Sequence, residues 1–367
     1  MNSNLNLMEP IISPISVDIL KTELTPSRKL RNTNKGHNEI YVINHHEAPE
    51  VMKEIGRLRE EAFRDSGGGS GLSMDIDEYD TMDNPYQQLI VWDPDAERII
   101  GGYRFILGNE IKMDENGQPH LATSHMFHFS EKFIKEYLPY TIELGRSFVS
   151  PEYQSSKAGH KAIYALDNLW DGLGALAVER PGMKYFFGKM TMYPEYNREA
   201  RDLIQHFLFK HFEDKDKLVT PIEPLEIQTD KAYMDSLLYE KDFKNDYKLL
   251  NAEVRKRGVN IPPLVNSYMS LSPTMKMFGG GINHEFSEAE ETCIMIAFDE
   301  IHEAKVERHI NSFIKEKIEN IRNRFPIFFD NMEENLQSML SARRQRKQER
   351  KNNRMLRKKA RQEKDNK

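Results

Sequence analysis

One stretch constrains this chain more than any other: Thr141-Ile142-Glu143-Leu144-Gly145-Arg146-Ser147-Phe148-Val149-Ser150-Pro151-Glu152-Tyr153-Gln154. Ile142, Leu144, Phe148 and Val149 read as a buried strand, yet Glu143 and Arg146 sit inside it. Burying an unpaired charge is costly, so such a strand must pair its charges or use them. Ser150-Pro151 ends the strand. The loop Gln154-Ser155-Ser156-Lys157-Ala158-Gly159-His160 then leads into a helical run with Ala162, Ile163, Leu166, Leu169, Trp170 and Leu173 on its apolar side. A small-residue loop between a strand and a helix N-terminus offers free N–H groups and a positive dipole end, a cradle for phosphate. The other reading of the same stretch is a core strand with one internal ion pair.

Composition narrows the setting. Cys293 is the only cysteine, which excludes a disulfide framework or a cysteine-rich metal site and suits a reducing cytoplasm. No basic segment followed by an apolar run opens the chain, and no stretch reaches the roughly 18 apolar residues of a membrane span. The net charge of −6 hides an asymmetry: Ala342 to Lys367 carries 13 Lys/Arg against 3 Asp/Glu, leaving −16 on the rest. An acidic body with a basic tail points to an acidic surface or partner for the tail.

Four segments are expected. Residues 1–38 are polar with scattered prolines and read as a disordered leader. Residues 39–300 hold the folded domain, 301–341 appended helices, and 342–367 the basic tail. Within the domain, Glu39 to Ile43 reads as a first strand, followed by a helix after Pro49 with Val51, Ile55, Leu58, Ala62 and Phe63 on one face. Arg59 and Arg64 would then lie on its solvated face. Ser66 to Gly71 reads as a flexible loop, and it lacks the Gly-Lys-Ser/Thr of a Walker loop. Asp75, Asp77, Glu78 and Asp80 gather around Tyr79, without the ligand spacing of a calcium loop. Gln88–Trp92 and Ile99–Leu107 form a hairpin that places Arg104 inside a second apolar strand. His120, His125 and His128 do not have the spacing of a metal site. Tyr185–Met190 and Thr292–Phe298 complete the core strands, with helices over Arg198–Phe212 and about 234–257 and a loop over about 213–235. Ile310, Phe313, Ile314, Ile318, Ile321 and Phe325 keep helical spacing up to Pro326.

The order of these features carries a resemblance. A helix ending Leu58-Arg59-x-x-Ala62-Phe63, then Asp77-Glu78-Tyr79-Asp80, a hairpin with Gly102-Tyr103-Arg104, and Glu143-Leu144-Gly145-Arg146 resemble the carrier-protein-dependent branch of the GNAT acyltransferase fold. That branch holds the acyl-homoserine lactone synthases and the hemolysin-like N-acyltransferases that begin ornithine-lipid or glycine-lipid synthesis. Val259-Asn260-Ile261-Pro262-Pro263-Leu264, Tyr268, Leu271 and Gly280 are similar to the C-terminal pattern of the second group. The likeness spans about residues 40–298. It departs from the family pattern at Gly145, where a serine is more usual, and at Gln154-Ser155-Ser156-Lys157-Ala158-Gly159, which is not a clean pantetheine loop.

The resemblance implies an α/β (α+β) fold, a central mixed sheet flanked by helices. It implies an N-acyltransferase that moves a long, 3-hydroxylated or plain acyl chain from an acyl carrier protein thioester to the amine of glycine or ornithine. No metal or bound cofactor is implied; the carrier protein is a cosubstrate. In this reading Glu143 takes the amine proton, and Arg146 serves beside it. Asp77 and Asp80 hold the acceptor's ammonium or shape the acyl pocket, Arg59, Arg104 and Arg146 bind a carboxylate or phosphate or brace the acidic loop, and Phe63 is among the substrate-binding residues. Ser147, Phe148, Val149, Gln154, Lys157 and Gly159 hold the acyl-pantetheine arm. A structural ion pair of Glu143 with Arg146 or Arg104 is the competing role. Lys157, Lys161 and Lys184 would attract the acidic carrier protein. The expected location is the cytoplasm, with the tail touching the inner face of the membrane; nucleic acid is not expected, because only the tail has the charge for it. The remaining alternatives are a lactone synthase, an acyl-CoA enzyme of the same fold, and a non-catalytic protein that binds nucleic acid through the tail.

Overall fold

The computed structural model describes residues 8–154 and 160–326, with side chains of the helix beginning at His160 described from residue 164 on. Eight strands form one sheet in the order β1-β2-β3-β4-β6-β7-β10-β9. They are β1 (Lys29–Asn32), β2 (Glu39–Ile43), β3 (Gln87–Asp93), β4 (Arg98–Leu107), β6 (Thr141–Val149), β7 (Tyr185–Met192), β9 (Lys276–Asn283) and β10 (Ala289–Ala297). Every pairing is antiparallel except β6 with β7. A short pair, β5 (Phe127–Phe129) with β8 (Val219–Pro221), lies apart. Part of the expected 213–235 loop is therefore a strand.

The alternation of the strands sorts their side chains onto two faces. One face carries Ile90, Trp92, Ile99 and Phe148 and packs against α1 (Val17–Glu23) and α2 (Pro49–Asp65). The other carries Leu89, Val91, Ile100 and Tyr103 and packs against α5 (His160–Glu179), α6 (Arg198–Phe212) and α8 (Phe243–Lys256). In α2, Pro49 sits at the first turn, and the Glu23 carboxylate accepts the otherwise unpaired N–H of Val51 at 2.8 Å. The helical region expected over 234–257 is two helices, α7 (Lys231–Leu237) and α8, because Asp242 caps a fresh start by accepting from Asn245 N.

Three expectations need correction. The leader is ordered from Met8 onward: α1 buries Leu20 and Leu24 against α2, Ile15 N donates to Glu54, and β1 extends the sheet. Its polar composition hid two short apolar contacts that suffice when a neighbouring helix offers a matching face. The folded unit also runs past residue 300. The first compact unit extends to Phe313. A π-helical segment, Val306–Asn311, buries His309 against Asp171 of α5, and the Phe313 ring lies under Arg31. Finally, the glycine loop is tied down. Ser70 N, Ser70 Oγ and Gly71 N all donate to the buried Glu60 carboxylate, at 2.8–2.9 Å. The second appended helix and the basic tail lie outside the described residues. No helix among the described residues is long and apolar enough to cross a membrane.

Candidate active site in a split sheet

The sheet opens at its one parallel pairing. β6 and β7 are paired from Thr141–Tyr185 to Leu144–Gly188, and there the ladder stops, although β6 runs on to Val149 and β7 to Met192. A bulge in β6 accounts for this. At the last pair the strands approach so closely that a Cβ on Gly188 would stand 2.5 Å from Leu144 O. Just beyond it, Tyr103 of β4 faces two residues of β6, Arg146 and Ser147, which makes a β-bulge. Arg146 adopts φ +46°, the left-handed region, at a cost of about 1–2 kcal/mol. A bulge bends its strand, here away from β7. Among the described residues, no strand partner takes up the β7-facing backbone edge of Gly145–Val149. Free N–H groups on such an edge suit an oxyanion.

A cavity of about 570 Å³ fills the split and reaches both faces of the sheet. Its lining differs on the two sides. Toward α2 it meets Glu143, Arg104, Lys189, Glu291 and Tyr193; toward α5 it meets Leu144, Leu166, Phe186, Tyr268, Ile294 and Ile296. The register explains the division. Glu143 lies opposite Phe187, Cys293 opposite Lys189, and Arg104 opposite Gly145, so Arg104, Glu143, Lys189 and Glu291 share one face across four strands.

Glu143 is buried, and among the described residues it makes no ion pair. One carboxylate oxygen accepts from the Tyr86 hydroxyl, whose oxygen in turn accepts Ala122 N at 2.9 Å. Burial pushes the Glu143 pKa up, against the opposing pull of Tyr86, Thr123, Arg104 and Lys189. A carboxyl moved toward neutral pH is a stronger base for an ammonium proton. The competing ion-pair role is not what the geometry has: both arginines are spent elsewhere. Arg104 Nη1 lies 2.7 Å from each Asp77 oxygen and 3.3 Å from Asp80, and Arg146 lies 2.9 Å from Asp75 and 3.4 Å from Asp77. Arg146 also covers the Phe286 ring at 4.6 Å, and these contacts offset the strain of its backbone.

The remaining expected site residues fall into three groups. Phe63, Arg104, Ser147, Phe148, Val149 and Gln154 line the cavity with Glu143 and Arg146. Arg59, Asp77 and Asp80 do not line it; they brace its wall. Arg59 is fully buried rather than solvated, 3.0 Å from Asp80 and hydrogen-bonded to Gln88. Asp77 caps α3 (Glu78–Thr81) in a reciprocal capping box with Asp80, and Arg104 and Arg146 outweigh its burial and hold its carboxyl below the usual range. An ammonium-binding role for Asp80 does not fit, since its oxygens are committed to Arg59, Arg104 and Gln88 at zero exposure. Arg64, the other arginine of that face, is drawn back to Glu60, Glu9 O and Leu72 O. Lys157 and Gly159 lie outside the described residues, and Lys184 is held over the Tyr140 ring at 4.4 Å. Lys189 and Glu291 escaped sequence reasoning. For Lys189 the signal was present, a lone charge in the apolar run Tyr185–Met190; Glu291 follows Glu290 at the charged start of its strand and gave no such signal.

Residues 58–162 match the family described as the acetyltransferase (GNAT) domain. Over 315 residues, 86% of this chain and 97% of the relative, the sequence is 64% identical to a glycine N(alpha)-acyltransferase of Phocaeicola vulgatus. The chain belongs to this acyltransferase family. A glycine N(alpha)-acyltransferase of Bacteroides thetaiotaomicron is also 64% identical, over 84% of this chain and 91% of its own. Among solved structures, a CoA-dependent acyl-homoserine lactone synthase, BjaI, aligns over 74% of this chain and 86% of its own at 11% identity and a TM-score of 0.32. The lactone synthase LasI aligns over 42% and 73% at 15% identity and a TM-score of 0.27. The chain is thus an acyltransferase with a GNAT domain in a mixed, helix-flanked sheet. An inactive body that only binds nucleic acid through its tail no longer accounts for it.

Proposed function

We propose that this acyltransferase moves a long acyl chain from the phosphopantetheine thioester of an acyl carrier protein to the amine of glycine, yielding an N-acylglycine for lipid synthesis. The observation that carries the reading is the two-sided cavity through the split sheet, charged on the α2 side and apolar on the α5 side. An amino acid suits the first and an acyl chain the second, and the thioester carbon would meet the amine in the gap between them. The names of the two relatives support glycine as the acceptor. Glu143 takes a proton from the attacking amine, and the open edge of β6 stabilises the thioester oxygen as it becomes an oxyanion. The thiolate leaves on the pantetheine arm.

Purified protein, given acyl carrier protein or CoA thioesters of graded length with glycine, ornithine or homoserine, tests this by mass spectrometry of the product. N-acylglycine formed from the carrier-protein donor is expected. Transfer only from CoA, or only to another amine, overturns that part of the reading. The basic tail would hold the enzyme at anionic lipid, each basic residue contributing roughly 1 kcal/mol at the surface. Removing residues 342–367 should then abolish co-sedimentation with anionic vesicles, and unchanged sedimentation rejects the role.

A further inference from the structure

We infer that Lys189 holds the carboxylate of the acceptor amino acid and that Glu291 positions Lys189 for it; the inference rests on the amino-acid acceptor proposed above. Lys189 and Glu291 lie on β7 and β10, on the face of the sheet that carries Glu143, and all three line the cavity. The arginines are poorer candidates. Arg59 does not reach the cavity, while Arg104 and Arg146 each answer two aspartates. Among the described residues Lys189 answers one carboxylate, that of Glu291. An ammonium has three N–H donors; one goes to Glu291, and Met126 Sδ, a weak acceptor, lies 3.6 Å away.

Glu291 is supported without further demand on Lys189. Asn283 Nδ2 donates to its Oε2 at 2.9 Å, and Thr191 Oγ1 donates to its Oε1 at 3.2 Å. Burial pushes the Glu291 carboxyl up, but Lys189 and Asn283 outweigh it and keep it below the usual range. A fixed carboxylate therefore anchors the lysine with donors to spare, facing a cavity that already holds the base. The spacing also fits. Lys189 is two residues beyond Phe187, which pairs with Glu143. Strand separation and rise put the Cα atoms of Glu143 and Lys189 at least about 8 Å apart. Both side chains rise from the same face at that spacing, so their polar ends can contact the two ends of one α-amino acid, whose amine and carboxylate lie about 3 Å apart. With its carboxylate on Lys189, the amine points back toward Glu143 and the β6 edge.

The test compares glycine with glycinamide, which lacks the carboxylate, using purified full-length protein and the same acyl thioester. Wild type should favour glycine. Lys189→Met should raise the KM for glycine about tenfold to a hundredfold, change kcat less, and lower glycinamide use far less than glycine use. Lys189→Arg should recover part of the loss. Because Lys189→Met leaves Glu291 buried without its cation, the double variant Lys189→Met/Glu291→Gln removes both charges and should show the same loss of preference in a folded protein. An unchanged glycine KM, or a parallel fall for glycine and glycinamide, overturns the assignment while the acceptor reading stands. Absence of N-acylglycine from wild type itself, with another amine acylated, overturns the acceptor reading and the inference with it.

Discussion

Gly145 and Arg104 face each other across β4 and β6 so closely that a Cβ on Gly145 would stand 3.3 Å from Arg104 Nε and 3.5 Å from its Cγ. The missing side chain makes room for a guanidinium that is fixed at its other end by Asp77 and Asp80. The chain departs from the more usual serine at this point in the motif, and the position of Arg104 is the physical counterpart.

Gly145→Ser should therefore not act as a harmless return to the family pattern. Arg104 can yield only by loosening its aspartates, so the substitution is expected to cost about 1–3 kcal/mol, the range for overpacking. Urea unfolding of the variant checks this. A gain in stability would mean that Arg104 relaxes freely.

Arg59 makes a second rigid contact behind the same wall. At zero exposure it bridges Asp80 and Gln88 through different nitrogens. Among the described residues, Arg59→Met leaves Asp80 with Arg104 as its one cation, and it should destabilise by about 3–5 kcal/mol. Arg59→Lys should rescue little, because one ammonium cannot reproduce a planar fork aimed at two partners. Unfolding midpoints of the two variants should lie close together, and a midpoint near wild type for Lys would reject the geometric argument.

The frame was legible where pattern and burial agree. Apolar runs marked β3, β4, β6, β7 and β10, and α6 has the bounds that its amphipathic spacing gave. Glu143 stood out because a charge inside an apolar strand must be explained, and the same rule would have found Lys189. What the chain could not declare is pairing at long range. That Arg59 is buried depends on Asp80 and Gln88, 21 and 29 residues away. That α1 is ordered depends on the side of α2, and that β6 parts from β7 depends on a bulge opposite Tyr103. These are properties of which element lies beside which, and local periodicity does not carry them.

The apolar side of the cavity should set chain length. Ile294 is buried, lies opposite Gly188 and projects into the α5 side of the split. Ile294→Phe adds volume where the acyl chain would run, so donors shorter by a few carbons should be preferred. Competition between mixed acyl thioesters, with products counted by mass, measures the shift. An unchanged length profile in a folded variant would place the chain elsewhere.

Glu143→Gln separates catalysis from stability. Turnover should fall about 100-fold or more if the carboxylate takes the amine proton. Stability should move the other way. The folded pKa is raised by burial above the ordinary value of 4.5, so the native state holds the proton more tightly than the unfolded chain does. Stability is then fully present below the unfolded pKa, is lost as pH rises from there through the folded pKa, and stays lost above it. Glutamine keeps an oxygen for the Tyr86 hydroxyl and has no charge to bury. The variant should match wild type at low pH and be the more stable above that window. Wild-type kcat/KM should rise with pH along a limb whose midpoint lies above the usual carboxylate range, and the variant should lack that limb. A variant that keeps the limb, or that is less stable than wild type at neutral pH, would mean that Glu143 is a structural partner of Tyr86 rather than the base.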